Sequence, residues 1–192
     1  MSWTFFRHFI SDWQATGAIA PSSKGLARRM VELAGVRDAH TVLELGPGTG
    51  PFTKVIDEVM SKEARYLGLE LNPVFADRLR SQHPHMQFET TAAQEYDYDL
   101  FLKPGESFDA IVSGLPWTAF PESLQIAILD HALSRLKPGG CLVTFAYTGF
   151  HMLPTGRHFR ELLESRTGKL ECSHTIWMNI PPAFVYKATK VA

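Results

Sequence analysis

The sequence predicts an α/β fold: a doubly wound, seven-stranded sheet with one antiparallel edge strand, preceded by N-terminal amphipathic helices. Apolar runs of strand length alternate with amphipathic segments of helix length, as parallel strands joined by crossover helices require. The last two apolar runs have no helix between them, only a break at Pro181-Pro182. They therefore predict an antiparallel hairpin that closes one edge of the sheet.

Each element follows from its own periodicity and its flanking residues. The predicted strands are 41–46, 65–70, 87–90, 108–113, 140–147, 173–179 and 183–189. The predicted helices are 3–15, 22–34, 51–61, 73–83, 121–135 and 156–166. Pro121 suits the first turn of its helix, and Pro138-Gly139-Gly140 ends that helix before the next strand. We expect an N-terminal helical extension for binding membrane or substrate over 1–35 and the main domain over 36–192.

Composition indicates an ordinary globular chain. Its 192 residues fit one domain, 45% are hydrophobic, and the formal net charge of −1 favours no partner. Cys141 and Cys172 are too few for a disulfide framework or a cysteine metal site, so we expect a cytoplasmic setting. No apolar run approaches the ~18 residues of a membrane span, and the first residues lack the order of a signal peptide.

The glycine-rich segment 42–50, VLELGPGTG, is the most informative part of the chain. A hydrophobic strand leads into Gly46, Gly48 and Gly50, and glycine lets a backbone turn tightly and approach a ligand closely. This GxGxG spacing differs from the GxGxxG of dinucleotide-binding loops. Glu44 would sit poorly beside a pyrophosphate but suits a cationic amino group. The segment therefore predicts a binding loop for a ligand that carries such a group.

The second predicted strand ends in an acid, Glu70, which lies 24 residues after Gly46. That distance is close to the ~20 residues at which a carboxylate accepts hydrogen bonds from ribose hydroxyls. Glu70 alone also fits nicotinamide or flavin enzymes. Asn72 either touches an adenine or only begins the turn before Pro73.

These residues resemble the class I methyltransferases that use S-adenosylmethionine (SAM), over about 40–147. The matching motifs are ELGPGTG at 44–50, Glu70, SGLPW at 113–117 and LKPGG at 136–140. The resemblance implies a Rossmann-like class I methyltransferase sheet with SAM as cofactor. The residues expected to bind SAM are Ser22, Ser23, Glu44, Gly46, Gly48, Gly50, Glu70, Asn72, Ala92, Gln94, Ser113 and Gly114.

A narrower resemblance covers nearly the whole chain. FFRHFISDW at 5–13, TGAIAPSS at 16–23, SGLPW and NIPPA at 179–183 are similar to the bacterial phospholipid N-methyltransferases. That family methylates phosphatidylethanolamine in steps towards phosphatidylcholine, which implies a lipid amine as the substrate. A neighbouring group methylates the amine of ornithine lipids, and the motifs do not exclude it. The related rRNA adenine dimethylases carry a further C-terminal helical domain.

Two segments depart from these patterns. Many relatives have an acid after strand three that holds the adenine amine, but here 90–93 reads TTAA. Backbone groups near Ala92, or the Gln94 side chain, would have to serve instead. In base methyltransferases the fourth motif begins with Asn or Asp, whereas SGLPW has lost that side chain. This loss favours an amine other than that of a nucleic-acid base.

The N-terminal segment predicts contact with a membrane surface. Trp3, Phe6, Phe9, Ile10 and Trp13 recur at helical spacing and define one apolar face, which would suit a helix in the membrane interface or pack on the core. Lys24 and Arg28 add positive charge beside the Ser22 or Ser23 helix cap, where an anion is favoured. We expect peripheral association with the inner membrane and an anionic phospholipid surface as partner.

The expected catalytic residues are Tyr147, Ser113 and Trp117. Tyr147 would accept a proton or a hydrogen bond, Ser113 would orient the amine, and Trp117 would face the methylated nitrogen through a cation–π contact. Asp12 and His151 are weaker candidates. The histidines are too scattered for a metal site. We also expect a monomer without nucleic acid as partner. The competing functions are a base or small-amine methyltransferase and a SAM- or membrane-binding module without catalysis.

Overall fold

The sheet and its helices are seen in a computed structural model that describes residues 23–191. The strands are β1 Thr41–Leu45, β2 Arg65–Glu70, β3 Gln87–Thr90, β4 Phe108–Ser113, β5 Leu136–Tyr147, β6 Gly168–Cys172 and β7 Ala183–Lys190. The helices are α1 Lys24–Leu33, α2 Pro51–Val59, α3 Pro73–Gln82, α4 Glu122–Ser134 and α5 Pro154–Thr167. The predicted helix over 3–15 and its apolar face lie outside the described residues.

The strands form one sheet in the order β3-β2-β1-β4-β5-β7-β6. Strands β1 to β5 pair in parallel, whereas β7 runs antiparallel to both β5 and β6. The β6–β7 hairpin therefore closes one edge, which confirms the predicted sheet. The strand order reverses between β1 and β4, and ligands of open α/β sheets bind at the carboxyl ends of strands on either side of such a reversal.

Two apolar cores cover the two faces of the sheet and make it doubly wound. Leu43 and Leu45 point to one face, where they join a cluster with side chains of α4 and α5. Val42 belongs to the opposite cluster, which includes residues of α1, α2 and α3, such as Met30. Because side chains alternate along a strand, Glu44 shares the face of Val42 and lies inside this second core.

The boundaries near the C-terminus differ from the prediction. The predicted strand over 173–179 is wrong, because its large apolar side chains, Trp177 and Met178, are exposed in the loop between β6 and β7. The actual strand, β6, carries alternating charged residues, as a solvent-facing edge strand can, and therefore lacks an apolar signal. The segment LKPGG, expected as a turn, is part of β5. The pairing of β4 with β5 shifts register between Phe108 and Ala110 of β4, which accommodates this segment.

Helix α1 confirms the helix predicted over 22–34. It packs on the sheet through Leu26 and Met30, which are fully buried. The predicted extension over 1–35 thus includes a helix whose apolar face belongs to the core, and the boundary near residue 35 stays a prediction. Within residues 23–191, no helix has the length and apolar character that a bilayer span needs.

Candidate active site

The glycine loop joins the end of β1 to the start of α2. Gly46, Gly48 and Gly50 all have positive φ angles, between 60° and 85°. This left-handed conformation costs a residue with a Cβ about 1–2 kcal/mol, so the three glycines allow the turn. Gly50 is also the residue before the first turn of α2. The chain thus reverses directly above the carboxyl end of β1.

A close backbone approach between β1 and β4 shapes the bottom of this region. The Gly114 N–H donates to the Leu45 carbonyl at 2.8 Å. A Cβ on Gly114 would lie only 2.6 Å from the Gly46 carbonyl oxygen, which real Cβ atoms do not approach so closely. Glycine at position 114 is therefore required by packing, and it keeps the crevice between the two strand ends open.

Glu70 is held by two backbone N–H groups at the end of β2. Its Oε2 accepts from Gly48 and its Oε1 from Asn72, each at 2.8 Å. Burial raises the pKa of Glu70, while these two hydrogen bonds act in the opposite direction. A carboxylate oxygen has a second lone pair. The glycine loop therefore fixes Glu70 in an orientation that leaves acceptor capacity for ligand hydroxyls.

One cleft lies at the carboxyl edge of the sheet. Its lining comes from the ends of β1, β2 and β4, the segment after β3, and α4. The lining residues are Gly46, Leu69, Glu70, Leu71, Thr91, Ala92, Ala93, Gln94, Gly114, Leu115, Pro116, Phe120 and Ile128. The structure thus brings together Gly46, Glu70, Ala92, Gln94 and Gly114, five of the residues expected to bind SAM, in the lining of one cleft. Their individual roles towards SAM stay predictions.

Glu44 lies fully buried in β1, two residues before Gly46, which lines this cleft. Its Oε2 accepts from the Thr53 hydroxyl at 2.9 Å and from the Tyr66 phenol at 2.5 Å. Its Oε1 is buried without a hydrogen-bond partner in the part of the chain that the structure describes. Burial raises the pKa of Glu44 to about 7, although the bonds from Tyr66 and Thr53 lower it. Glu44 therefore has one oxygen that is desolvated and still able to accept.

The partners of Glu44 were not found from the sequence. Tyr66 reaches Glu44 from the neighbouring strand because Gly68, the register partner of Glu44, has no side chain. A Cβ on Gly68 would lie 2.8 Å from the Tyr66 phenol oxygen. Burial, followed by the adjacent carboxylate of Glu44, raises the pKa of Tyr66 well above its usual value. The sequence signal for this network is a tyrosine, Tyr66, that lies two residues before Gly68 on β2, the strand that pairs with Glu44.

The SGLPW motif forms a packed turn after β4. The Ser113 hydroxyl accepts from the Trp117 indole N–H at 3.1 Å and from the Leu115 N–H at 3.3 Å. Both side chains are buried, and the Trp117 ring stacks on Phe159 with centroids 4.5 Å apart. The Trp117 face that stacks on Phe159 is covered. The cation–π role of Trp117 and the orienting role of the Ser113 hydroxyl stay predictions.

Tyr147 ends β5 at the same edge of the sheet. Its ring packs edge-on against Phe145, and its phenol oxygen is buried without a hydrogen-bond partner among residues 23–191. Burial raises the pKa of Tyr147 to about 12. The phenol thus stays protonated near neutral pH and can serve as a hydrogen-bonding group. His151 packs on Phe184 instead, and Asp12 lies outside the described residues.

Those remaining predicted residues that the structure describes are not among the residues that line the cleft. Ser23 caps α1 by accepting from the Leu26 N–H, and Asn72 caps α3 by accepting from the Val74 N–H. Lys24 and Arg28 are exposed on α1. Ser22 and the apolar residues Trp3, Phe6, Phe9, Ile10 and Trp13 lie outside the described residues. Over 23–191, no group of His, Cys, Asp and Glu side chains could hold a metal ion.

The cleft fits the SAM that the resemblance implies. The Glu44 carboxylate would compensate the positive charge of the methionine amino group. Its buried Oε1, which has no partner among the described residues, would then gain one. Glu70 would accept from the ribose hydroxyls, and Gly46 leaves space for the backbone to approach the ligand. The cleft lining over 91–94, where the resemblance implies that the adenine is held, offers no carboxylate.

The chain is similar to several known proteins. A family described as a methyltransferase domain matches residues 42–140. The ornithine lipid N-methyltransferase of Singulisphaera acidiphila is 32% identical over 185 residues, covering 95% of this chain and 92% of that protein. An O-methyltransferase of Bacillus cereus in complex with SAH has a TM-score of 0.68 at 16% identity, covering 95% of this chain and 90% of that one. The N-methyltransferase NodS of Bradyrhizobium japonicum has a TM-score of 0.65 at 16% identity, covering 86% and 94%. The two structures share the fold.

Proposed function

This chain belongs to the class I SAM-dependent methyltransferases, and from that premise we propose that it methylates the amine of a lipid headgroup, with ornithine lipid as the favoured substrate. The observation that carries the proposal is the likeness to an ornithine lipid N-methyltransferase along nearly the full length of both chains. This likeness supports ornithine lipid better than phosphatidylethanolamine, which the sequence motifs favoured. We propose in addition that the protein associates peripherally with the membrane that contains this substrate, as the sequence predicts.

SAM is the cofactor, and it supplies an activated methyl group when bound. The protein then has to align donor and acceptor and to keep water out. In the proposed arrangement Glu70 and Glu44 hold the ribose and the amino group, and Gly46 and Gly114 leave the strand ends open for the reacting atoms. The acceptor amine must be neutral, because an ammonium ion has no free lone pair.

The surroundings of the SGLPW turn support an aliphatic amine over a nucleic-acid base. Position 113 carries a serine instead of the Asn or Asp that begins this motif in base methyltransferases. The Trp117 ring is already packed against Phe159. A planar base would need both a polar side chain for its amine and a free aromatic face. An aliphatic amine needs only acceptors around its N–H groups, and we assign this task to the Gly114 carbonyl and to Tyr147.

Methyl transfer to lipid in vesicles tests the proposal. We would incubate the purified chain with radiolabelled SAM and vesicles that contain ornithine lipid, with parallel samples of phosphatidylethanolamine and of ribosomal RNA, and resolve the products. Label in ornithine lipid is the expected result, and the product series counts the methyl groups. Label only in phosphatidylethanolamine would keep the lipid amine and overturn the substrate choice. Confirmed SAM binding with no labelled lipid would overturn the proposed function.

A further inference from the structure

Large apolar side chains are exposed on two loops at the carboxyl edge of the sheet. One loop follows β5 and the other precedes β7, and we call the set the apolar corner. Its members are Phe150, Met152, Leu153, Trp177, Met178 and Ile180. Trp177 is 73% exposed and Met178 86% exposed. Exposed apolar residues that occur together, rather than singly, mark an interaction surface.

Backbone contacts hold the two loops side by side. The N–H of Thr148 donates to the Pro182 carbonyl at 2.8 Å, directly beyond the pairing of Tyr147 with Ala183. The start of α1 joins them, because the Ser23 N–H donates to Asn179 at 2.9 Å. The two loops that carry the apolar corner thus form one surface with the start of α1. The segments that build this surface are 23–28, 148–157 and 173–182.

The formal charges within these three segments have one sign. The three segments contain no Asp or Glu, and their basic residues are Lys24, Arg28 and Arg157. All three basic residues are exposed, and the Arg157 Nε donates to the Met152 carbonyl within the corner. Exposed apolar side chains together with exposed cations suit the interface of an anionic bilayer, where the apolar groups enter the acyl boundary and the cations meet phosphates.

The apolar corner also lies at the edge where the cleft opens. Tyr147 precedes one of its loops, and the cleft lies at the ends of the parallel strands on the same edge. We infer that the apolar corner docks on an anionic phospholipid bilayer and so brings lipid headgroups to the active site. This inference deepens the proposed function and rests on it for the identity of the substrate, but the docking itself is independent of turnover.

Sedimentation with vesicles tests the docking. The full chain would be mixed with vesicles of phosphatidylcholine containing phosphatidylglycerol, and the variants Trp177→Ser/Met178→Ser and Phe150→Ser/Met152→Ser would be compared with it. Each double variant should weaken vesicle binding at least about 10-fold, because each removes two exposed apolar groups. Leu100→Ser is the matched control, since Leu100 is 74% exposed but lies between β3 and β4, outside the corner. Unchanged binding of both double variants would overturn the inference.

Turnover on two forms of substrate separates the docking from the proposed function. The double variants should lose methylation of ornithine lipid in vesicles while keeping methylation of a short-chain, monomeric ornithine lipid. A chain that binds vesicles through the corner but methylates neither form would contradict the proposed function and leave the docking intact. A wild-type dimer that becomes monomeric in Trp177→Ser/Met178→Ser, without any vesicle binding, would assign the corner to a second copy and overturn the docking.

Discussion

The Asn179 side chain joins two parts of the chain that lie 156 residues apart. Its Oδ1 accepts from the backbone N–H of Ser23 at 2.9 Å, and its Nδ2 donates to the Pro181 carbonyl at 2.7 Å. Asn179 is almost fully buried. Ser23, the last residue of TGAIAPSS, is therefore bound to Asn179, the first residue of NIPPA, which fixes the start of α1 against the loop before β7.

We expect Asn179→Ala to lower the free energy of unfolding by about 1–3 kcal/mol. The substitution leaves two backbone groups, on Ser23 and Pro181, without their buried partner, and such unsatisfied groups keep their desolvation cost. Urea denaturation measures the change. Met178→Ala, one residue away and exposed, is the control and should change stability by less than about 0.5 kcal/mol. Equal stability of the two variants would contradict the structural role of Asn179.

Glu70→Gln should weaken binding of S-adenosylhomocysteine at least about 10-fold. Both oxygens of Glu70 accept from backbone N–H groups, whereas an amide has only one oxygen, so its NH2 would face a donor. Hydrogen bonds to a charged group contribute about 1.5–3 kcal/mol, which corresponds to that loss of affinity. Titration calorimetry gives the dissociation constant, and thermal melting checks the fold.

Glu95→Gln is the control. Glu95 is an exposed acid just beyond the cleft lining, so this variant should bind S-adenosylhomocysteine like the wild type. Full affinity in Glu70→Gln would remove Glu70 from the cofactor site.

The sheet was predictable because its parallel strands are buried on both faces and give continuous apolar runs. The positions of Gly46 and Glu70 followed as well, since a strand end, a glycine turn and a second strand end are adjacent along the chain. Strand β6 was missed because it is short and carries Lys169 and Glu171 at the solvent-facing edge. An edge strand of this kind has no apolar pattern to read.

The contacts within the site depend on tertiary packing and could not be read from sequence spacing. Tyr66 reaches Glu44 only through the register of β1 with β2, and Thr53 only through the approach of α2. In the same way, the indole of Trp117 is turned towards Ser113 and Phe159 by the packing of α5. The motifs therefore indicate where the candidate site lies, but the strand register and the helix packing determine which side chains contact one another there.

The unfolding free energy of the unliganded chain should fall with rising pH through the titration of Glu44. Because the pKa of Glu44 is raised from 4.5 to about 7 in the folded chain, the folded state keeps its proton when the unfolded state has lost it. Stability is therefore full below about pH 4.5 and declines by about 3 kcal/mol as the pH rises through 7, from 1.36 kcal/mol per unit of pKa.

Glu44→Gln removes this titration, so between about pH 5 and about pH 8 its stability should fall less than that of the wild type, by about 2.5 kcal/mol. Urea denaturation of wild type and variant at about pH 5 and about pH 8 gives the two differences to compare. Glu95→Gln, which is exposed, should keep the wild-type dependence. If wild type and Glu44→Gln changed equally between the two pH values, Glu44 would not be the group that carries the proton.

Tyr147→Phe should lower kcat about 10-fold without changing the affinity for S-adenosylhomocysteine. The phenol has no partner within the described chain and is free to accept from the amine N–H, a bond of about 1–1.5 kcal/mol that the variant loses. Because burial raises the pKa of Tyr147 to about 12, the phenol stays protonated, and the pH profile of kcat should keep its shape. Tyr98→Phe is the matched control, since the Tyr98 phenol is also buried without a partner in the described chain. Tyr98 lies in the connection between β3 and β4, whereas Tyr147 ends β5 at the carboxyl edge of the sheet. Full turnover in Tyr147→Phe would dismiss the role of the phenol, whereas an equal loss in both variants would assign the effect to packing.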